Sequence, residues 1–398
     1  MSGFALASFG ALVLAVAAAS LRSRFYATYR GVTLTLHTLI ALALYPRFAW
    51  AWPLFFYLHA AVYVHAVALV RPRLFPLVYR VLVSIPAAFF AAGTLLAFPW
   101  AIATALGFEP WAPWLPYAVA LIGVIQSLSA RAEEVDVVVA DGHVVDGVKR
   151  HRPGPVRSER PLSIVQITDP HLGPFMSVAR LRRICSRAVE RQPDLVFLTG
   201  DFLTMESQHD PALLSRALEP LRALPGRVFA CFGNHDHEAP QTVRAALEHA
   251  GAKLLIDEAA ELETPAGRVQ IVGMDFVWRG RESHLAEVCA RYPRLTGVLR
   301  IVLLHDPAAF VRLAPGEADL VLSGHTHGGQ VGLVSLGLPW TLLRVVMKAP
   351  DHGFWARGTD RLYVHRGTGH YGFPLRLGVP AEESLLRVHH AIPGTTPD

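Results

Sequence analysis

Four apolar runs in the first 130 residues, at positions 3–20, 48–70, 81–108 and 111–129, have the length of membrane-crossing helices. Crossing roughly 30 Å of hydrocarbon takes about 20 helical residues. A fifth run, 31–45, is short, and at about 1.5 Å per residue it reaches only ~22 Å. Charge placement favours counting it. If all five runs cross, Arg22, Arg24, Arg30, Arg71, Arg73, Arg80 and Arg131 fall on one side and Arg47 on the other, the asymmetry expected of cytoplasmic against external loops. Omitting the short run would place Arg71, Arg73 and Arg80 opposite the first arginines. The expectation is five helices with the N-terminus outside and the polar remainder in the cytoplasm, an integral protein of a bacterial inner membrane. Trp50, Trp52, Trp100, Trp111 and Trp114 then fall towards the outer interface, where aromatic residues gather. A secretory signal is a rival reading of residues 1–20, but no basic stretch precedes the apolar run and further runs follow it. His37, His59 and His65 lie inside the spans and, lacking acidic partners, read as interhelical hydrogen-bonding groups.

Composition supports the same division. The chain of 398 residues is 52% hydrophobic and 17% charged, whereas soluble domains are about a quarter charged. Its net charge of +5 would suit a nucleic-acid binder, but residues 1–130 hold seven Lys/Arg and one Asp/Glu, against 30 and 31 in residues 131–398. The basic excess belongs to the apolar part, so nucleic acid is not an expected partner. Cys185, Cys231 and Cys289 form neither a Cys-x-x-Cys pair nor a disulfide framework and read as buried thiols.

Residues 131–160 read as a connector, with one strand-like alternation at 135–140 before a Pro/Gly/Arg-rich stretch. The polar domain is placed at 161–392, with a tail at 393–398. Within it, strands at 162–168, 195–199 and 228–232 alternate with helices at 177–191, 211–224 and 241–250. This rhythm implies a mostly parallel sheet covered on both faces by helices. Further strands are expected at 269–274, 300–304, 320–323, 330–334, 362–365 and 384–389.

Polar residues gather where these strands end. Asp169 and His171 follow the first, Gly200 and Asp201 the second, and Gly233, Asn234, His235 and Asp236 the third. His305 and Asp306 follow a later strand, and Gly324, His325, Thr326 and His327 the next. In open α/β sheets the ligand site lies at the carboxyl ends of the strands, so these loops converge. A set of His, Asp and Asn without thiolate suits divalent first-row ions, with Mn, Fe and Zn all compatible. Gly200 lets the chain turn sharply so that Asp201 can bridge two ions. Two ions about 3.5–4 Å apart generate hydroxide at neutral pH and orient a phosphoryl group.

The order Asp-x-His, Gly-Asp, Gly-Asn-His-Asp, His, Gly-His-x-His resembles the calcineurin-like metallophosphoesterase superfamily over roughly residues 160–390. The string GHTHGGQ at 324–330 is similar to its membrane-associated bacterial branch, which includes phosphodiesterases and enzymes resembling UDP-2,3-diacylglucosamine hydrolase. The N-terminal helices are similar to those of transmembrane proteins with a metallophosphoesterase domain. The resemblance implies a multi-pass α-helical membrane domain followed by an α/β domain of layered β-sheets flanked by helices. It assigns Asp169, His171, Asp201 and His327 to one metal and Asp201, Asn234, His305 and His325 to the other. His235 becomes the catalytic histidine, a general acid towards the leaving oxygen, with Asp236 orienting it. The family often reads Gly-Asp-x-x-Asp, whereas this chain has Thr204 at the last position, which puts the support of the ligands in question.

Two segments stay open at this stage. His365 and Arg366, with His370, flank Gly367 and Gly369 and read either as substrate-binding residues or as plain loop. Residues 336–355 combine Leu338, Trp340, Leu342, Val345, Val346 and Met347 with Arg344 and Lys348, and read as a buried excursion or as an interfacial lid. The expected function is a membrane-anchored, dinuclear-metal phosphoesterase hydrolysing a phosphoester or pyrophosphate bond. Its expected partners are a phosphate-ester substrate, lipid-linked like a UDP-diacylglucosamine, and membrane lipids. The alternative is a non-catalytic membrane sensor or scaffold that keeps the metal-binding fold. A transporter lacks support, because the spans contain neither acidic groups nor inverted repeats.

Overall fold

In the computed structural model the described residues are 2–139, 144–152, 158–370, 372 and 374–390. The expected tail at 393–398 lies outside them. Met1–Leu128, with Met205–Ser207 and Gly372–Leu377, form one unit, and the remaining residues form a second.

In the first unit, Gly3–Ser20, Arg24–Ala68 and Leu77–Leu96 are helical and apolar enough to cross a membrane, and Leu115–Ser127 is a shorter apolar helix. The 45-residue stretch is not one rod. Its helices Arg24–Leu44 and Trp52–Ala68 are joined by a 3-10 turn, Tyr45–Ala51, kinked at Phe48. His37 on the first leg bonds His59 on the second at 3.2 Å, so the chain reverses between them. The run expected to be short gains a full helix of 21 residues because Ser23 caps it, accepting from the Tyr26 N–H. Arg30 adds to that first stretch, donating to the Tyr26 hydroxyl at 2.9 Å and stacking over its ring.

Polar groups inside this unit are partnered, as hydrocarbon requires. His59 takes the Ser8 hydroxyl at 3.0 Å on its other nitrogen, tying three helices together through one imidazole. His65 meets Ser84 at 3.5 Å. Pro86 lacks the N–H that would reach the Leu82 carbonyl, and the Tyr57 hydroxyl donates to that carbonyl instead. Trp50, Trp52, Trp111 and Trp114 are exposed, and the Trp100 indole donates to the Trp111 carbonyl at 2.8 Å.

The second unit contains β1 (Ala130–Val138), β2 (Val145–Arg150), β3 (Leu162–Ile167), β4 (Leu195–Leu198), β5 (Val228–Ala230), β6 (Lys253–Leu254) and β7 (Glu258–Thr264). It continues through β8 (Gly267–Gly273), β9 (Leu299–Leu303), β10 (Leu320–Ser323), β11 (Gly353–Gly358), β12 (Asp360–Val364) and β13 (Ala381–His389). These strands form two mixed sheets, ordered β1-β13-β3-β4-β5-β6 and β2-β11-β12-β10-β9-β8-β7. The single mostly parallel sheet expected from the strand–helix rhythm is therefore corrected to two layers. Parallel pairing survives at the centre of each, through β3 to β6 and through β8, β9, β10 and β12.

One apolar cluster joins Leu162 and Ile164 of β3 and Phe197 of β4 to Ile301 and Leu303 of β9 and Leu322 of β10. Alternate residues of each central strand thus point into a shared core between the sheets. Helices cover the outer faces. Val178–Glu190 starts at Ser177, which accepts from the Arg180 N–H, and buries Leu181, Ile184, Cys185 and Ala188 at helical spacing. Arg281–Arg291 buries Leu285, Val288 and Cys289 on the other sheet's outer cluster. All three cysteines are free and buried.

The segment expected as a connector is built into the sheets instead, β1 beside β13 and β2 beside β11, each as an edge strand. No strand forms over 330–334. Gly328, Gly329 and Gln330 all take positive φ and turn the chain away from extended geometry.

His59→Leu should lower the thermal unfolding midpoint of the full-length protein in detergent, because it removes two interhelical bonds together worth about 1–2 kcal/mol. An unchanged midpoint would show that neither bond contributes.

Candidate metal centre

The carboxyl ends of β3, β4 and β5 in one sheet and of β9 and β10 in the other deliver Asp169 and His171, Asp201, Asn234 and His235, His305, and His325 and His327. Ligand atoms of Asp169, His171 and His327 lie within 4.8 Å of one another, and those of Asp201, His305 and His325 form a second such group. The groups adjoin. Asp201 Oδ2 lies 3.7 Å from His171 Nε2 in the first and 3.2 Å from His305 Nε2 in the second.

Backbone geometry shows how tightly these side chains are aimed. Asp169, His171, Asp201, His325 and His327 all have φ between 45° and 67°, in the left-handed region. Non-glycine residues held there cost of order 1–3 kcal/mol each and gather at functional sites. Gly200 has φ 93°, and a Cβ there would stand 2.3 Å from the Gly233 nitrogen and 2.9 Å from His305 Nδ1. Glycine lets the β4 and β5 loops close on each other. At Gly233, a Cβ would stand 2.3 Å from Asp201 Oδ1.

Hydrogen bonds fix the first ring of donors. Asp169 accepts from the Thr168 hydroxyl at 2.7 Å and from the His325 N–H at 3.0 Å. Asp201 Oδ1 accepts the His235 N–H at 2.9 Å. His305 Nδ1 lies 2.6 Å from the Thr199 carbonyl. A carbonyl can only accept, so Nδ1 carries the proton and Nε2 points at Asp201.

Charge follows from burial and proximity. Burial pushes the His171 imidazole down to about 3, the neutral form that ligates metals. Burial works against charge on Asp201 and His305 as well, but their mutual attraction holds the carboxyl below its ordinary range and the imidazole above it. The same field favours a cation between them.

The donor set fits two divalent ions. It consists of imidazole nitrogens and carboxylate oxygens without thiolate, and the buried Oδ1 of Asn234 and Nδ1 of His325 make no hydrogen bond within the protein.

The supports differ from expectation at three places. Asp236 is fully buried and close by, but its carboxylate accepts the N–H groups of Asp201, Phe202 and Gly233. It braces the β4 and β5 loops. The partner of His235 is Glu238, with Oε1 2.7 Å from Nδ1. Its signal in the sequence is the three-residue spacing of an acid from the histidine. Thr204, where the family often has Asp, donates its hydroxyl to the Leu172 carbonyl at 3.1 Å, beside the His171 loop.

His365 and Arg366, expected against substrate, are instead buried among carboxylates. Arg366 reaches Glu133 of β1 at 2.5 Å and Glu382 of β13 at 3.4 Å. Burial raises the Glu382 carboxyl, but His365 and Arg366 outweigh it and hold the group down to about 2. The following loop braces β3, with Thr368 N–H donating to the Thr168 carbonyl and Gly369 N–H to the Asp169 carbonyl. Phe276, not foreseen, packs 6.2 Å from the His325 ring and 6.5 Å from the His305 ring.

The calcineurin-like phosphoesterase family model matches residues 162–329, spanning all five of these loops. Phosphodiesterase YaeI of Escherichia coli K12 is 31% identical over 233 residues, covering 57% of this chain and 82% of that protein. The chain belongs to the calcineurin-like metallophosphoesterase family. This metallophosphoesterase is also 30% identical to the uncharacterized metallophosphoesterase YkoQ of Bacillus subtilis, over 58% of this chain and 85% of that one. A transmembrane protein with metallophosphoesterase domain from Danio rerio is 30% identical over 56% of this chain and 52% of its own length. Family membership makes it a metal-dependent phosphoester hydrolase.

Arg366→Ala leaves two buried carboxylates without their cation and should cost about 3–5 kcal/mol of stability. Thermal unfolding measures this. A variant of unchanged stability with a raised KM would return Arg366 to substrate binding.

Proposed function

We propose that this metallophosphoesterase is an integral membrane enzyme with a dinuclear centre that hydrolyses a phosphoester or pyrophosphate bond in a lipid-linked substrate. The observation that carries the dinuclear reading is Asp201, whose Oδ2 faces an imidazole of each ligand group within 3.7 Å. Asp169, His171, Asp201 and His327 would hold one ion and Asp201, Asn234, His305 and His325 the other. Mn, Fe and Zn all suit these donors. Two such ions supply hydroxide at neutral pH and positive charge for the phosphoryl oxygens.

His235 is the chain's own contribution to proton transfer. It lies beside the first ligand group, its ring centroid 5.6 Å from that of His171. Burial alone would favour the neutral ring, but the bond to Glu238 and the charge of Asp201 raise its pKa above the ordinary histidine value. A protonated imidazole held there can donate to the leaving oxygen. Glu238 positions it through Nδ1, leaving Nε2 to face substrate.

The substrate class rests on the apolar N-terminal unit together with an exposed apolar segment, 333–347, that follows the His327 loop. The arginine asymmetry supports five spans with the catalytic unit in the cytoplasm, in a bacterial cell at the inner membrane.

Full-length protein in detergent should contain about two metals per chain and hydrolyse bis-p-nitrophenyl phosphate. Asp201→Ala should lose metal and activity together. His235→Ala should keep its metal while turnover falls about 10²–10⁴-fold, and Glu238→Gln should fall between that and the parent. Metal-loaded protein without turnover on phosphomonoesters, phosphodiesters or UDP-linked lipids would favour a sensor or scaffold. Turnover on soluble diesters alone would remove the lipid part.

A further inference from the structure

Residues 336–355 read from the sequence as buried core or as an interfacial lid, and their exposure removes the first reading for most of the segment. Leu336 is 73% exposed, Trp340 62%, Val346 72% and Met347 65%. Eight large apolar side chains are exposed within positions 333–347. Monomeric surfaces rarely carry so dense an apolar stretch, and where they do it marks contact with a protein or a membrane.

The segment is held out by construction. Its base is closed by the Gly332–Thr341 bridge, by the Leu333 N–H donating to the Trp340 carbonyl at 2.8 Å and by the Leu342 N–H donating to the Val331 carbonyl at 2.8 Å. The helix Leu342–Met347 starts at Thr341, whose hydroxyl also donates to the buried Asp351 carboxylate at 2.5 Å. Beneath it, Arg344 lies 4.6 Å over the fully buried Trp355 ring and donates to the Lys348 and Ala349 carbonyls. With Arg344 turned inward as an anchor, Val345, Val346 and Met347 remain on the outside.

Charge decides what covers this face. Positions 331–350 contain no Asp or Glu and two cations, Arg344 and Lys348, and Lys348 is exposed at the helix end. Apolar side chains with a neighbouring cation match the boundary between acyl chains and anionic headgroups. The same polypeptide carries helices apolar enough to cross a membrane, and the last apolar helix, Leu115–Ser127, ends just before β1. We infer that the 333–348 segment is a docking surface for an anionic lipid bilayer, with Leu336, Trp340, Val346 and Met347 entering the headgroup boundary and Lys348 facing lipid phosphate.

The segment is joined to the metal-centre loop. A Cβ on Gly329, two residues after His327, would stand 2.6 Å from the Leu343 Cβ. Docking therefore brings the His327 loop to the membrane surface whether or not the centre turns over.

The test is depth-dependent quenching in nanodiscs containing the full-length protein. Val346→Cys is labelled with an environment-sensitive fluorophore, the native cysteines being buried, and Ala286→Cys on the exposed side of Arg281–Arg291 serves as control. In phosphatidylglycerol-containing discs, phosphatidylcholine doxyl-labelled near the headgroup should quench the label at 346 and spare that at 286. Lys348→Gln should weaken attachment about fivefold, the contribution of one cation at an anionic surface, seen as a lower quenched fraction. A label at 346 that stays unquenched in these discs overturns the proposal. So does efficient cross-linking from the Val346→Cys position to a second copy, or to the helices of the same chain, in place of quenching. Because fluorescence reports docking without turnover, these outcomes do not depend on the enzymatic reading.

Discussion

The Asp201 carboxylate is buried and shared. Oδ1 accepts the His235 N–H, while Oδ2 stands between His171 of one ligand group and His305 of the other. A buried charge is costly unless it is compensated, and the surrounding structure supplies that compensation from both sheets. β4 brings Asp201 itself, β3 brings His171 and β9 brings His305, so the centre exists only where the two sheets come together. Glycines at 200 and 233 remove the side chains that would hold the β4 and β5 loops apart. Asp236 then ties both loops by their amides.

The cost of the arrangement is visible in the backbone. Five of the ligand residues occupy left-handed φ, a region that core packing alone does not favour for Asp or His. Rings of second contacts hold them there: Thr168 and the His325 amide on Asp169, the Thr199 carbonyl on His305, and Thr204 on the Leu172 carbonyl. Behind these, the buried group of His365, Arg366, Glu133 and Glu382 fixes the loop that braces β3. An edge strand far away in sequence, β1, thus contributes a carboxylate to the support of the centre.

Much of this centre was legible in the sequence, because metal chemistry restricts both residue type and order. Asp-x-His, Gly-Asp, Gly-Asn-His and Gly-His-x-His each follow an apolar strand, and every residue named as a ligand on that basis arrives at the same place. Supports were less legible, since Glu238 and Glu133 look like ordinary surface acids until the fold brings them to a histidine and an arginine. The split into two sheets was also hidden. Strand–helix alternation reports local periodicity, whereas pairing β10 with β12 around the intervening β11 is a long-range choice. Edge strands β2 and β7 carry Lys149, Arg150, Glu258, Glu261 and Glu263, and lack the apolar runs that reveal central strands. In the first unit, the helix containing 31–45 looked short because its opening turns hold Arg24 and Arg30, whose charge hides a helical segment from an apolar scan.

The central claim is that Asp201 joins two metal ions, and the most direct measurement is anomalous diffraction from crystals of the full-length protein loaded with Mn. Two peaks about 3.5–4 Å apart, with Asp201 in contact with both, are the expected result. A single peak, or a second ion beyond the reach of Asp201, would contradict the account.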